Sequence, residues 1–380
     1  ADILRDDLNV DLTRAIWSGV TTDPSTGLPV PTPGVQFTTP TNPAGTYIDP
    51  VSGHQVRLMK DVWDEITGTL GLDYTPDADT LIYGKWTRGF KPGGFGAASV
   101  GTNFNPRPRV DEEILDSYEL GFKRTWYPND TYLTTNIVLF YYDYEGYQVP
   151  NTVVPPVGPS FSAFVNLPKV ESLGLEIENV WEATDNLSFI LNYAYLDPEI
   201  KESPALVNSI DPFQNDAEAQ PLAGGGETLA GYILPNTPKN KAAFNARYRF
   251  DLEGGGTITP SVSYFWQDIA YTSIFNRFYN KVPSWDQVDA RLTYRSADGT
   301  WTLIGFVRNV FDERQFDSAT AGLRRGNNQN VVTQACGTSP ATTVDHSGAN
   351  FLGSLAQNCY TSNVTLRPPR TFGAELQFRF

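Results

Sequence analysis

Few residues in this chain have the type and spacing that chemistry requires. His54 and His346 both fall in irregular stretches, and neither has the Ser/Asp pattern that would make it a general base. They stand at no metal-ligand spacing from each other or from a cysteine. Gly94-Phe95-Gly96 could open a dinucleotide fingerprint, but the third glycine is missing and a proline-rich loop follows where a helix is needed. Solvated loop histidines and an ordinary glycine turn account for these residues. No catalytic residue, cofactor or metal is expected, and the chain is not read as an enzyme.

What the chain has in surplus is aromatic: 22 Phe, 19 Tyr and 8 Trp among 380 residues. Such a surplus needs a place, and two interfacial girdles of a membrane barrel would supply one. The net charge of −15 argues against nucleic acid as a partner, because phosphate contact needs a basic face. No apolar run approaches the roughly 18 residues of a spanning helix. Spanning strands escape that test, since their alternating faces average out as polar.

The elements that position these aromatics read as strands. The last stretch alternates strictly, with Phe372, Ala374, Leu376, Phe378 and Phe380 on one face and Gly373, Glu375, Gln377 and Arg379 on the other. Ten similar stretches precede it from about residue 61, for a total of eleven. Short turns such as Tyr127-Pro128-Asn129-Asp130, Glu253-Gly254-Gly255-Gly256 and Ser296-Ala297-Asp298-Gly299 follow the odd strands. Long connections follow the even ones, as in bacterial outer-membrane barrels with short periplasmic turns and long external loops. Arg247, Arg249, Glu176, Glu178, Asp289 and Arg291 share the polar faces, which predicts a wet lumen on that side. A soluble sandwich also alternates, so a secreted all-β binding protein stays open as an alternative. Residues 1–60 carry seven prolines between Pro24 and Pro50 and are expected to form an irregular external loop, with residues 61–380 as the barrel portion.

Six motifs in order add a family. Tyr83-Gly84-Lys85-Trp86-Thr87-Arg88-Gly89-Phe90-Lys91-Pro92-Gly93-Gly94-Phe95 and Ser117-Tyr118-Glu119-Leu120-Gly121-Phe122-Lys123 resemble two strands of TonB-dependent outer-membrane receptors. Phe140 to Tyr144, Gly174 to Glu178, Arg308 to Glu313 and Pro368 to Gly373 are similar to further family stretches in the family's order. The resemblance covers about Trp63 to Phe380. It implies a 22-stranded antiparallel barrel around a plug, of which these eleven strands would be the C-terminal half, in the bacterial outer membrane. It also implies uptake of a scarce nutrient such as a ferric siderophore, energised by the TonB complex through an N-terminal part that this sequence lacks. The chain is accordingly expected to be a fragment. A passive porin-type channel is the alternative within the membrane class.

Further expectations follow from that resemblance. Outer-membrane lipid and a small nutrient ligand are partners, and the terminal strand resembles the signal read by the barrel assembly machinery, with Gly373, Leu376, Phe378 and Phe380 in matching places. Cys336 and Cys359 share one external loop, where an oxidising compartment favours a disulfide. It would stabilise by roughly 3 kcal/mol in the chain-entropy model; two free thiols are the alternative. Trp86, Phe90, Tyr142, Tyr144, Trp266 and Tyr271 lie near strand tops. They are either girdle residues or ligand-facing aromatics in the external mouth.

Overall fold

The computed structural model describes residues 61–95, 109–153, 161–206, 226–323 and 360–380, with five short strands between residues 20 and 57. Eleven strands form one sheet in which each pairs antiparallel with its sequence neighbours. They are β1 (Gly68–Asp77), β2 (Thr80–Lys91), β3 (Glu113–Trp126), β4 (Tyr132–Val153), β5 (Phe161–Glu182), β6 (Leu187–Glu202), β7 (Asn240–Tyr248), β8 (Thr257–Gln267), β9 (Trp285–Arg295), β10 (Trp301–Arg308) and β11 (Thr371–Phe378). Phe250–Asp251 continues β7 beyond Arg249 and also pairs with β8. This is the expected meander. No helix among the described residues is long and apolar enough to cross a membrane, a test that does not bear on strands.

The register carries one apolar face through the whole sheet. Leu72, Gly84, Leu120, Leu139, Leu175 and Tyr195 stand opposite one another from β1 to β6. Farther on, Leu191 faces Phe244, Phe244 faces Tyr264, and Tyr264 faces Val288. Tyr294, Leu303 and Leu376 complete the face on β9 to β11. These leucines are largely exposed, which in water would be an aggregation surface and in hydrocarbon is the required surface. The rows also climb. Thr80, at the turn end of β2, connects row by row through Arg124, Thr135, Asn179, Leu191, Phe244 and Tyr264 to Val288, near the far end of β9. Such drift is the strand tilt that a barrel wall needs.

The opposite face is polar and more crowded. A Cβ placed on Gly121 would meet the Tyr83 ring at 2.0 Å, and one on Gly174 the Phe140 ring at 2.0 Å. Rings lying across glycines in this way suit a concave lumen wall.

Three boundaries differ from the sequence reading. β4 runs on through Gly146 and Pro150 to Val153, and β5 begins at Phe161, so these strands form a tall hairpin instead of flanking a long loop. Twenty-two residues span about 70 Å, whereas a membrane crossing takes about 9–11. β8 stops at Gln267, and Ala270–Tyr271 pairs locally with Lys281–Val282. The segment expected to be irregular holds two small sheets, Val20–Thr22 with Pro29–Pro31 and Gln36–Thr39 with Asn42–Ile48 and Gln55–Arg57. Pro29 and Pro31 sit at strand ends, where a missing N–H costs least. Neither small sheet joins the main one. His54, His346, Cys336 and Cys359 lie outside the described residues.

Candidate functional site

The lumen wall is built from the side chains that alternate with the apolar face. Arg247 stands opposite Ser188 and Ser261, and Ser261 opposite Arg291. One row away Asn245, Ser263 and Asp289 line up. Glu176 and Glu178 face Ala194 and Asn192 on the same side. The six charges expected to share a wet face therefore share it. Two of the six are locally neutralised: Arg247 pairs with Glu182 at 3.3 Å and donates through Nε to Ser188 Oγ at 2.6 Å, and Arg249 pairs with Asp251 at 3.1 Å. Lys85 on the same wall pairs with Glu119 at 2.9 Å.

Toward the external mouth this wall becomes aromatic. Phe140, Tyr142, Tyr144 and Tyr147 form a ladder up β4 with ring centroids 4.6, 6.4 and 5.1 Å apart. Tyr142 and Tyr144 point to the lumen. Trp86, Phe90 and Trp266 lie on the opposite, outward face, where Trp86 stands opposite Leu70 and Tyr118, and Trp266 opposite Ala242. Tyr271 sits above the sheet in the β8–β9 connection, and its carbonyl accepts from Asn236 N at 2.7 Å. The six aromatics singled out by sequence thus divide between two faces and one loop.

A cap seated on this wall carries residues that sequence reasoning missed. The β6–β7 and β8–β9 connections fold onto the lumen side of β4–β6. Leu206, Leu229, Leu234, Ile274 and Phe275 pack there with Val149, Leu167, Val170 and Ile200, and Tyr144 and Tyr147 lean on the same cluster. Inside the cap Arg277 donates to Glu227 at 2.6 Å, with side-chain exposures of 1% and 7%. Asn276 clamps the two connections together, accepting from Ile233 N at 2.8 Å and donating to Ile233 O at 3.0 Å. The β10–β11 connection joins in, as Thr272 donates to Ala319 O and Arg367 lies 3.5 Å over the Trp285 ring. No local pattern marks Glu227 and Arg277, which are 50 residues apart.

Two of the family-like motifs lie where connections leave the sheet. In Gly89-Phe90-Lys91-Pro92-Gly93-Gly94-Phe95, a Cβ on Gly93 would come within 2.2 Å of both Trp63 Nε1 and Val110 O. Only glycine fits where the chain passes between the indole and the Arg109–Val110 strand. Arg109 lies 5.5 Å over that indole and pairs with Asp61, and its hydrogen bond holds the Asp61 carboxyl below its usual value of 3.8. Gln148 and Asn166 from the tall hairpin each donate to Asp111 O at 2.9 Å. In Arg308-Asn309-Val310-Phe311-Asp312-Glu313, buried Asn309 has φ of 52° and donates to Glu313 O at 2.9 Å and Pro368 O at 3.3 Å. Its backbone N–H donates to Asp289 Oδ1 at 2.9 Å. The motif thus sets where β11 begins.

β11 itself is placed as expected. Leu376 and Phe378 point outward opposite Leu303 and Trp301, with the Phe378 and Trp301 rings 4.6 Å apart. Gly373 faces the lumen, where a Cβ would meet the Phe306 ring at 2.7 Å. Phe380 is fully exposed on the outward side. Among the described residues no group of three or more His, Cys, Asp and Glu side chains could hold a metal ion.

Comparison with solved structures supports this architecture. The chain is similar to the ferric yersiniabactin uptake receptor FyuA from Yersinia pestis, at 16% identity and a TM-score of 0.58, over 87% of this chain and 40% of that one. It is similar to the ferric citrate transporter FecA at 15% identity and a TM-score of 0.52, again over 87% and 40%. The siderophore receptor PiuA from Acinetobacter baumannii gives 20% identity and a TM-score of 0.51 over 71% and 35%. The chain therefore spans about 35–40% of the length of these structures, and at such identities the likeness concerns the fold. The model of the TonB dependent receptor-like β-barrel matches residues 25–310, three quarters of the sequence. With a neighbour-paired meander, one apolar and one polar face, and loops folded over the external mouth, the chain belongs to the TonB-dependent receptor β-barrel family.

Proposed function

We propose that this chain is barrel wall and mouth of an outer-membrane receptor that takes up a scarce small nutrient with energy delivered by the TonB complex. The observation that carries the reading is the division of labour across the sheet. One face is continuously apolar, and the other is polar, aromatic toward the mouth and covered there by a locked cap. Ferric siderophores are the first ligand class to test, because the PiuA structure is named for a siderophore and the FyuA and FecA structures for ferric yersiniabactin and ferric citrate. On this reading Tyr142, beneath the cap, faces the ligand, and Tyr144 supports the cap. Trp86, Phe90 and Trp266 are girdle residues in contact with lipid headgroups. Cys336 and Cys359 form a disulfide in the β10–β11 connection, and Gly373, Leu376, Phe378 and Phe380 present the strand that the barrel assembly machinery reads.

The test is uptake of iron-55 siderophores by cells carrying the full-length gene, with and without a protonophore. Energy-dependent uptake that Tyr142→Ala reduces supports the proposal. Uptake that persists after the protonophore favours the passive channel.

A further inference from the structure

A wall one strand thick has no interior, because each side chain meets lipid on one side or the lumen on the other. Full burial therefore needs a second layer. The largest fully buried side chains among the described residues are Arg277, Leu167, Ile200, Leu229, Val170 and Pro198. Arg277 and Leu229 belong to the cap, and the other four to β5 and β6 beneath it.

The wall is bent to receive this layer. Tyr144 and Tyr147 are three residues apart, a spacing that sends side chains of a regular strand to opposite faces. Gly146, with φ of 67°, breaks the alternation between them. Both rings turn to the cap cluster, with centroids 5.1 Å apart. A Cβ on Gly146 would stand 2.4 Å from Glu112 O, so only glycine fits at the break.

Hydrogen bonds close the seams. Ile200 on β6 donates its N–H to Tyr232 O at 2.8 Å and accepts from Gly231 N at 2.8 Å, which ties cap to wall. Asn236 N donates to Tyr271 O at 2.7 Å, between the β6–β7 and β8–β9 connections. Thr272 carries the linkage on to Ala319 O in the β10–β11 connection. Lifting this layer puts its leucines and isoleucines in water and parts Glu227 from Arg277, both unfavourable. A ligand could drive such an opening only by binding the open form more tightly by that full amount.

We propose that the cap is a fixed shoulder of the wall: these connections and the tall hairpin stay joined while cargo enters, and cargo passes beside them. Tyr144 is held in the shared core, and Tyr142, its ring 6.4 Å away, is presented at constant height. The inference rests on the uptake reading above.

Hydrogen exchange of the full-length receptor in mild detergent tests this without cargo. Residues 226–234 and 273–280 are expected to exchange within about tenfold of the upper parts of β5 and β6. Arg277→Ala serves as the example of a released cap. Exchange about a hundredfold faster in the cap than in those strands, in the parent receptor, overturns the fixed cap. In cells, Ile200→Cys/Tyr232→Cys bonds cap to wall, and iron-55 yersiniabactin and iron-55 citrate are offered with and without reductant. Uptake by the oxidised and reduced forms is expected to agree within about twofold. A loss of about tenfold on oxidation, restored by reductant, marks a moving lid and overturns the proposal. Should that pair fail to fold, judged by heat-modified migration, Ser203→Cys/Thr228→Cys takes its place, where the two hydroxyl oxygens lie 3.4 Å apart. A parent receptor that takes up neither iron complex overturns the uptake reading instead, and hydrogen exchange still decides the cap.

Discussion

At Gly93 a single side-chain atom decides whether a connection can dock. A methyl there has no space between Trp63 and the Val110 carbonyl, and backbone cannot yield as a flexible side chain can. Gly93→Ala is expected to release the 92–112 connection from Trp63, raising hydrogen exchange around Asp111 while β2 and β3 stay protected. At the opposite rim Asp298 shows a charge effect outside the strands. Hydrogen bonds from the Ser296 hydroxyl, the Thr300 side chain and the Thr300 N–H lower its pKa from the ordinary 3.8 to about 2. A depressed acid contributes its stabilisation above the unfolded value and loses it as pH falls through the folded one. The β9–β10 turn is therefore expected to hold down to about pH 4 and loosen toward pH 2. Carboxyl NMR titration checks this, and Asp298→Asn should remove the pH dependence.

The strand is the scale at which the two faces become distinguishable. On β7, Phe244 lies in mid-belt between Leu191 and Tyr264, Tyr248 is nearer the short turn, and Arg247 points to the lumen. A cation on the lipid face costs about 2–4 kcal/mol at the midplane and about 0–1 near the interfaces. Phe244→Arg should therefore impair membrane assembly most, Tyr248→Arg less and Arg247→Tyr least, in a heat-modified migration assay. Equal effects would mean the faces are assigned wrongly. The cap obeys a different rule. Arg277→Ala leaves Glu227 buried beside an apolar cluster, a change that typically costs 3–5 kcal/mol. Faster hydrogen exchange across residues 226–234, with β5 and β6 unaffected, is the expected outcome.

These two cases also show what the sequence could reveal. Period two alone placed all eleven strands and put Arg247, Glu176 and Asp289 on the wet side, because alternation is a local consequence of the pleat. It also grouped Trp86 with Tyr142, since nearness to a strand top says nothing about which face a side chain takes until parity is counted. The upward run of β4 and β5 was hidden because the stretch after Gly146 reads as a proline-rich loop, whereas Tyr147 to Val153 pair with Leu167 to Phe161. The cap was hidden more deeply. Its contacts join three connections, and a buried pair such as Glu227–Arg277 exists only after the chain has folded back on itself.

For the molecule as a whole, neighbour pairing leaves β1 and β11 as the two edges of the main sheet. Each odd-numbered strand runs toward the short turns, so both edges point the same way. Edges that point alike cannot join each other in an antiparallel ladder. Two such sheets standing upright in one membrane cannot seal into a ring either, because every junction between them would be parallel. A closed antiparallel wall containing this sheet must interpose an odd number of strands, the first and last of them rising where β1 and β11 descend. Parity alone therefore sets a rule for whatever stands beside these edges. Cysteine pairs placed across β1 and β11 should give no crosslink in the assembled receptor, while pairs across β10 and β11 at Gly305 and Ala374 should form readily.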